Sequence, residues 1–76
     1  MKIYIAIRFI SESQCPPDST EIIDVFSTKE KARKCIEEES EHVREYGRNY
    51  KDSGDSICGS IGDFYYEYYI EEKESK

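Results

Sequence analysis

The stretch Lys2–Ile10, read as Lys-Ile-Tyr-Ile-Ala-Ile-Arg-Phe-Ile, constrains this chain more than any other. Side chains alternate sides along an extended strand, so Ile3, Ile5, Ile7 and Phe9 share one face while Tyr4, Ala6, Arg8 and Ile10 share the other. A strand apolar on one side and mixed on the other predicts the middle of a small sheet with one face covered and one open. The chain has 76 residues, enough for a single domain over 1–76 that buries roughly 60% of its unfolded surface. Apolar and charged residues each make up 37%, so the seven tyrosines and three phenylalanines supply much of the area that keeps the chain from disorder.

Downstream of this strand, Ser11–Thr20 is rich in turn residues, with Pro16 and Pro17 lacking amide donors, and reads as a loop. Glu21–Phe26 supplies a second strand. Ser27-Thr28-Lys29-Glu30 matches a capping box, the Ser27 hydroxyl accepting from the Glu30 amide, and predicts a helix start. Ala32, Cys35, Ile36, Val43, Tyr46 and Tyr50 follow three-four spacing, with a wet interruption at Glu39 and Ser40. Either Gly47 ends this helix as a left-handed C-cap, or a frayed turn runs on to Tyr50. Arg48–Gly62, with Gly54, Gly59 and Gly62 among Asp and Ser, reads as a loop with a short extended piece at Ser56–Ser60. Asp63–Glu72 is a last strand, and Lys73–Lys76 a solvated tail.

The predicted fold class is therefore α+β, a two-layer ββαβ domain. A right-handed crossover through the helix gives a three-stranded antiparallel sheet of order 2-1-3, with one helix on one face. The covered face is predicted to carry Ile3, Ile5, Ile7, Phe9, Phe64, Tyr66, Tyr68 and Ile70 against Ala32, Ile36 and Val43. On the open face this arrangement sets Tyr4 and Arg8 beside Tyr65, Glu67, Tyr69 and Glu71. Tyrosine and arginine combine large contact area with a polar handle, which makes these six residues the candidate protein-binding surface.

A formal net charge of −6 opposes direct binding to a nucleic-acid backbone or to an anionic membrane, and favours a basic partner protein. Glu37, Glu38, Glu41 and Glu45 form an acidic helix surface that could imitate a phosphate backbone, although such runs are ordinarily solvated faces paired with nearby Lys and Arg. Cys15, Cys35 and Cys58 are an odd number at wide spacing and include no Cys-x-x-Cys pair, so neither a disulfide framework nor a zinc site with His42 is predicted. No stretch resembles a signal peptide or a membrane span, and the expected location is the cytoplasm with reduced thiols. Neither a P-loop nor a dinucleotide fingerprint is present, and a helix on a small sheet leaves little volume for a catalytic pocket. No cofactor and no enzymatic activity are expected.

Val25-Phe26-Ser27-Thr28-Lys29-Glu30-Lys31-Ala32, the opening Lys2–Ile7 strand and the Tyr-rich end Tyr65–Glu72 together resemble a group of small phage and prophage proteins. The Cys-Pro-Pro loop and the long Arg48–Gly62 connection depart from that pattern. The resemblance implies a mobile-element setting inside a bacterial host cell. The expected function is a non-enzymatic module that binds, and inhibits or redirects, a host or defence-system protein. The rivals are a self-associating accessory protein using the open face as a homodimer seam, and a nucleic-acid-mimic inhibitor.

Overall fold

The computed structural model describes residues 1–12 and 19–74. Five strands, β1 (Lys2–Glu12), β2 (Ser19–Phe26), β3 (Arg48–Asp52), β4 (Ser56–Ile61) and β5 (Phe64–Glu74), form one antiparallel sheet in the order β2-β1-β5-β4-β3. Two helices, α1 (Lys29–Glu39) and α2 (Glu41–Tyr46), lie between β2 and β3 in the chain. This corrects the three-stranded ββαβ expectation: the sheet has two further strands and there are two helices. Both extra strands come from Arg48–Gly62: β4 falls on the short extended piece expected at Ser56–Ser60, and β3 on the part read as a loop. The Ser11–Thr20 loop narrows as well, since Ser11 and Glu12 continue β1 and Ser19 and Thr20 begin β2; Cys15, Pro16 and Pro17 fall outside the described residues.

The β3-β4-β5 meander follows from local turn chemistry. Gly62 and Asp63 alone separate the paired residues Ile61 and Phe64, and Gly62 has φ 59°. A two-residue hairpin loop with glycine in the left-handed region at its first position suits the twist of the flanking strands. Between β3 and β4, Asp52 accepts from the Gly54 amide at 2.9 Å while the Ser53 amide donates to the Ser56 carbonyl at 2.9 Å. β3 itself is short and wholly exposed, and Asn49 at φ 57° breaks its pairing register. An edge strand this polar carries no hydrophobic periodicity by which it could be recognised.

Helix α1 begins one residue later than the capping box implied. Thr28, not Ser27, is the N-cap, and its hydroxyl accepts from the Lys31 amide at 3.3 Å. The helical segment then bends at Ser40, whose backbone sits at φ −97°, ψ 9°. The Ser40 hydroxyl donates to the Ile36 carbonyl at 2.5 Å, a back-bonding arrangement that competes with straight helix. The bend turns Ser40 inward, so the expected wet middle is wet at Glu39 and buried at Ser40. Gly47 does end α2, but with extended backbone at φ −81°, ψ 160°. Tyr46 is left exposed and Tyr50 passes into β3.

The core forms where the bent helices meet the sheet: Ile36 and Val43 pack on Ala6, Ile57 and Tyr68, with Ile23, Phe26, Tyr66 and Ile70 around them. Each fully buried large apolar side chain contributes about 1.5–3 kcal/mol. Small residues let the layers approach. A Cβ on Gly59 would lie 2.5 Å from Val43 Cγ1, so glycine in β4 is what allows α2 to sit down on the sheet.

The helices therefore lie on the side of β1 that carries Ala6, which is the reverse of the expectation. Tyr4 pairs with Glu72, Ala6 with Ile70, Arg8 with Tyr68 and Ile10 with Tyr66, so these residues share the helix-covered side. Ile3, Ile5, Ile7 and Phe9 pair with Lys73, Glu71, Tyr69 and Glu67 on the other side. Directly opposed residues in an antiparallel pair point the same way, so the register separates two rows that the sequence reading had put together.

Candidate functional site

The helix-free face runs across the whole sheet. Ile3, Ile5, Ile7 and Phe9 run down its middle on β1; Ile22 and Val25 of the edge strand β2 oppose Ile7 and Ile5. Tyr65, Glu67, Tyr69 and Glu71 of β5 flank the row on the other side. Beyond them β4 adds Ser56, Cys58 and Ser60, paired with Tyr69, Glu67 and Tyr65. Polarity thus grades across the face, from aliphatic at β2 and β1, through a tyrosine–glutamate stripe that ends in Lys73, to small polar groups at β4 and the cations Arg48 and Lys51 of β3, paired with Ser60 and Cys58. Among the described residues no element outside the sheet packs on this side.

Exposure is greatest at the rim of the apolar row. Ile22 is 65% exposed, Val25 47% and Tyr65 37%, whereas Ile5 and Ile7 in the middle are 8% and 5%. The Phe9 and Tyr65 rings meet edge to face with centroids 6.4 Å apart. The Tyr65 hydroxyl donates to Glu67 Oε1 at 3.4 Å, and partial burial, followed by the adjacent Cys58 thiol, pushes its pKa up to about 12. Glu71 has no cationic partner among the described residues, and Glu67 has only the Tyr65 hydroxyl.

Four of the six candidate residues, Tyr65, Glu67, Tyr69 and Glu71, share this face. The other two do not. Tyr4 lies on the helix side near the start of α1, and Arg8 pairs there with Glu21. Arg8 also borders Tyr68, which is fully buried with its hydroxyl 3.4 Å from His42 Nε2 and its pKa pushed by burial up to about 12. His42 contacts the rings of Tyr66 and Tyr68 edge to face. This polar knot ties the helix bend to the sheet. The reading from sequence missed Ile22 and Val25, and the whole Ile3–Phe9 row, as members of the free face.

The acidic helix surface is partly committed elsewhere. Glu37 accepts from Arg33 Nε at 2.7 Å, while Glu38, Glu41 and Glu45 are exposed. Arg33 also holds Asp52 through two hydrogen bonds, donates to the Gly54 carbonyl at 3.0 Å, and keeps the Asp52 carboxyl below the usual carboxylate range. That clamp, with Lys29 on Asp55 at 2.9 Å, fastens the β3–β4 hairpin to α1. The cleft between α1, α2 and β3 measures about 150 Å³; Arg33, Glu37 and Asp52 in it are paired with one another, and Arg44 lines it as well. Cys35, on α1, is half-buried and burial raises its thiol pKa; it lies on the helix side, away from Cys58. Among the described residues no three His, Cys, Asp or Glu side chains form a group able to hold a metal.

Comparison of the chain with protein-family models, curated proteins and solved structures finds no match. The geometry of the two sheet faces therefore carries the functional argument. No helix among the described residues is long and apolar enough to cross a membrane.

Proposed function

We propose that this chain is a small acidic protein-binding module without enzymatic activity, and that its contact surface is the helix-free face of the sheet. One observation carries the reading: Ile22, Val25 and Tyr65 stand exposed around a continuous aliphatic row that no described element covers. A small domain commits few large side chains to solvent, and exposed apolar side chains gathered on one face mark an interaction site. Tyr65 and Tyr69 add aromatic area with hydroxyl handles, the type of side chain in which binding energy concentrates. Tyr4 and Arg8 are not part of this surface. A bacterial cytoplasmic setting, with a host or defence-system protein as the target, rests on the sequence resemblance to phage and prophage proteins.

The test is affinity capture from bacterial lysate with wild type, the Tyr65→Ala/Tyr69→Ala variant and an Ile22→Thr/Val25→Thr variant. A partner held by wild type and lost by both variants supports the reading. Unchanged capture by both variants contradicts it.

A further inference from the structure

The two edges of the sheet are fastened by different chemistry. From that difference we infer that β3 is a strap that bows open from β4 as a unit, latched shut by Arg33 of α1. At one edge, β2 packs Ile23 and Phe26 against the core. At the other, every residue of β3 is exposed. Tyr50, its one aromatic, lines the cleft beside Ile57 and still keeps 36% of its surface in solvent. Burial of apolar surface therefore holds β2 down and contributes little to β3. The ladder to β4 is thin as well. Arg48, Lys51 and Asp52 pair with Ser60, Cys58 and Ile57, and the register breaks after Arg48, where Asn49 takes a left-handed φ of 57°.

What remains is the latch. Arg33 donates to both carboxylate oxygens of Asp52 and, at 3.0 Å, to the Gly54 carbonyl. A two-pronged guanidinium–carboxylate pair fixes geometry as well as charge. Both ends of the strap are anchored separately from it. Before β3, the Gly47 amide donates to the Val43 carbonyl at 2.8 Å, and a Cβ on Gly47 would lie 2.3 Å from that oxygen. After β3, the Asp55 carbonyl accepts from the Ile70 amide at 2.9 Å, and the Asp55 carboxylate holds Lys29 at 2.9 Å. Ile57, 1% exposed, keeps β4 itself in the core. The segment free to move is thus Arg48–Gly54, bowing outward between two fixed points while the other four strands stay folded. Opening uncovers the outer backbone edge of β4 and the Ile57 side of the cleft, and it takes Arg48 and Lys51 off the rim of the helix-free face. Local openings that expose few apolar groups need far less free energy than global unfolding. Strap and latch stand whatever the helix-free face binds.

The test is amide hydrogen exchange, read by NMR on the full chain at several low denaturant concentrations, in wild type, Asp52→Asn, Arg33→Gln, the double variant and Ile36→Val. Asp52→Asn removes the charge and leaves an oxygen for the Gly54 amide. In wild type, amides that bridge β3 and β4 should exchange at least about a hundredfold faster than those that bridge β1 and β5, with little denaturant dependence. Each latch variant should speed the β3–β4 amides by about threefold to tenfold, and the double variant little more than either single one. Ile36→Val removes a methyl group that the closed and open forms both hold, so it should speed the β1–β5 amides and leave the β3–β4 amides unchanged. Exchange of the β3–β4 amides with the rate and denaturant slope of the β1–β5 amides, or a response to Ile36→Val, means no separate opening and overturns the proposal. Exchange of the wild-type β3–β4 amides as fast as in an unstructured peptide overturns it too, because the strap is then never closed. Unchanged β3–β4 exchange in both latch variants removes Arg33 as the latch. Acceleration by Arg33→Gln alone also removes it, assigning the effect to the Arg33–Glu37 pair within α1.

Discussion

The two faces of the sheet use similar numbers of large side chains to opposite ends. On the helix-covered face, aliphatic and aromatic groups are completed by the molecule itself: Ile36 and Val43 fill the space above Ala6, Ile57 and Tyr68, and the Arg8–Glu21 and Arg33–Asp52 ion pairs tie neighbouring elements together. On the other face an equally apolar row ends in exposed Ile22 and Val25, with no described element above it. One side spends its chemistry on the fold. The other holds chemistry that the fold leaves unmatched, and this contrast places the candidate interface.

The largest effects should separate the faces by stability. Ile36→Ala and Tyr68→Ala each remove a fully buried side chain and should cost about 3–5 kcal/mol in chemical denaturation, a large share of what a domain of this size possesses. Ile22→Ala and Val25→Ala on the free side should cost less than about 1 kcal/mol. Costs of similar size on both sides would erase the comparison.

Closeness of the covered layer can be probed by adding a methyl group. Gly59→Ala sets a Cβ against Val43 Cγ1 and should destabilise by about 1–3 kcal/mol, lowering the thermal midpoint. Cys58→Ala, one residue earlier and facing the free side, should fold with nearly wild-type stability.

A smaller effect should come from the hairpin clamp. Asp52 is held ionised by Arg33, so its folded pKa lies below the ordinary value near 3.9. A depressed carboxyl contributes stability above the ordinary value, and that contribution is lost as pH falls through the lowered folded value. Because the pair is partly exposed, solvent screening keeps it to about 1 kcal/mol. Asp52→Asn should lower stability at neutral pH and flatten the acid limb of a stability-against-pH curve. An unchanged limb would remove Asp52 from the account.

The alkaline limb is subtler still. Burial raises the Tyr68 hydroxyl to about 12, so the neutral form is favoured in the folded state. Its contribution is complete below the unfolded value near 10 and is lost as pH rises from there through about 12. Tyr68→Phe should make denaturation less steep over that window, and an equally steep curve would contradict the buried setting of the hydroxyl.

How much of this was legible beforehand can be traced residue by residue. The strand at Lys2–Ile10 and the helix after Phe26 follow from period-two and three-four spacing, which reflect burial directly. Which side of the strand receives the helix does not follow from spacing. Ile3, Ile5, Ile7 and Phe9 are the more apolar row, yet the helices settle over Ala6 and Gly59, where small residues permit close approach and Tyr66, Tyr68 and Ile70 wall the site. Only the register of β1 on β5 decides this, and register is a long-range property. The extended piece read at Ser56–Ser60 coincides with β4, and Gly62-Asp63 between Ile61 and Phe64 is the local signal that joins it to β5 as a hairpin. β3 carried none: its place is held by ladder pairing and by the Arg33–Asp52 clamp, which joins residues nineteen positions apart.

The claim that the rest depends on is that the helices cover the Ala6 side and leave the Ile22 and Val25 side bare. Methyl NMR relaxation in the presence of a soluble paramagnetic chelate measures this directly on the intact chain. The account predicts strong enhancement at the Ile22 and Val25 methyls and little at Ile36, Val43 and Ile57. Protection of Ile22 and Val25 equal to that of Ile36 would contradict it.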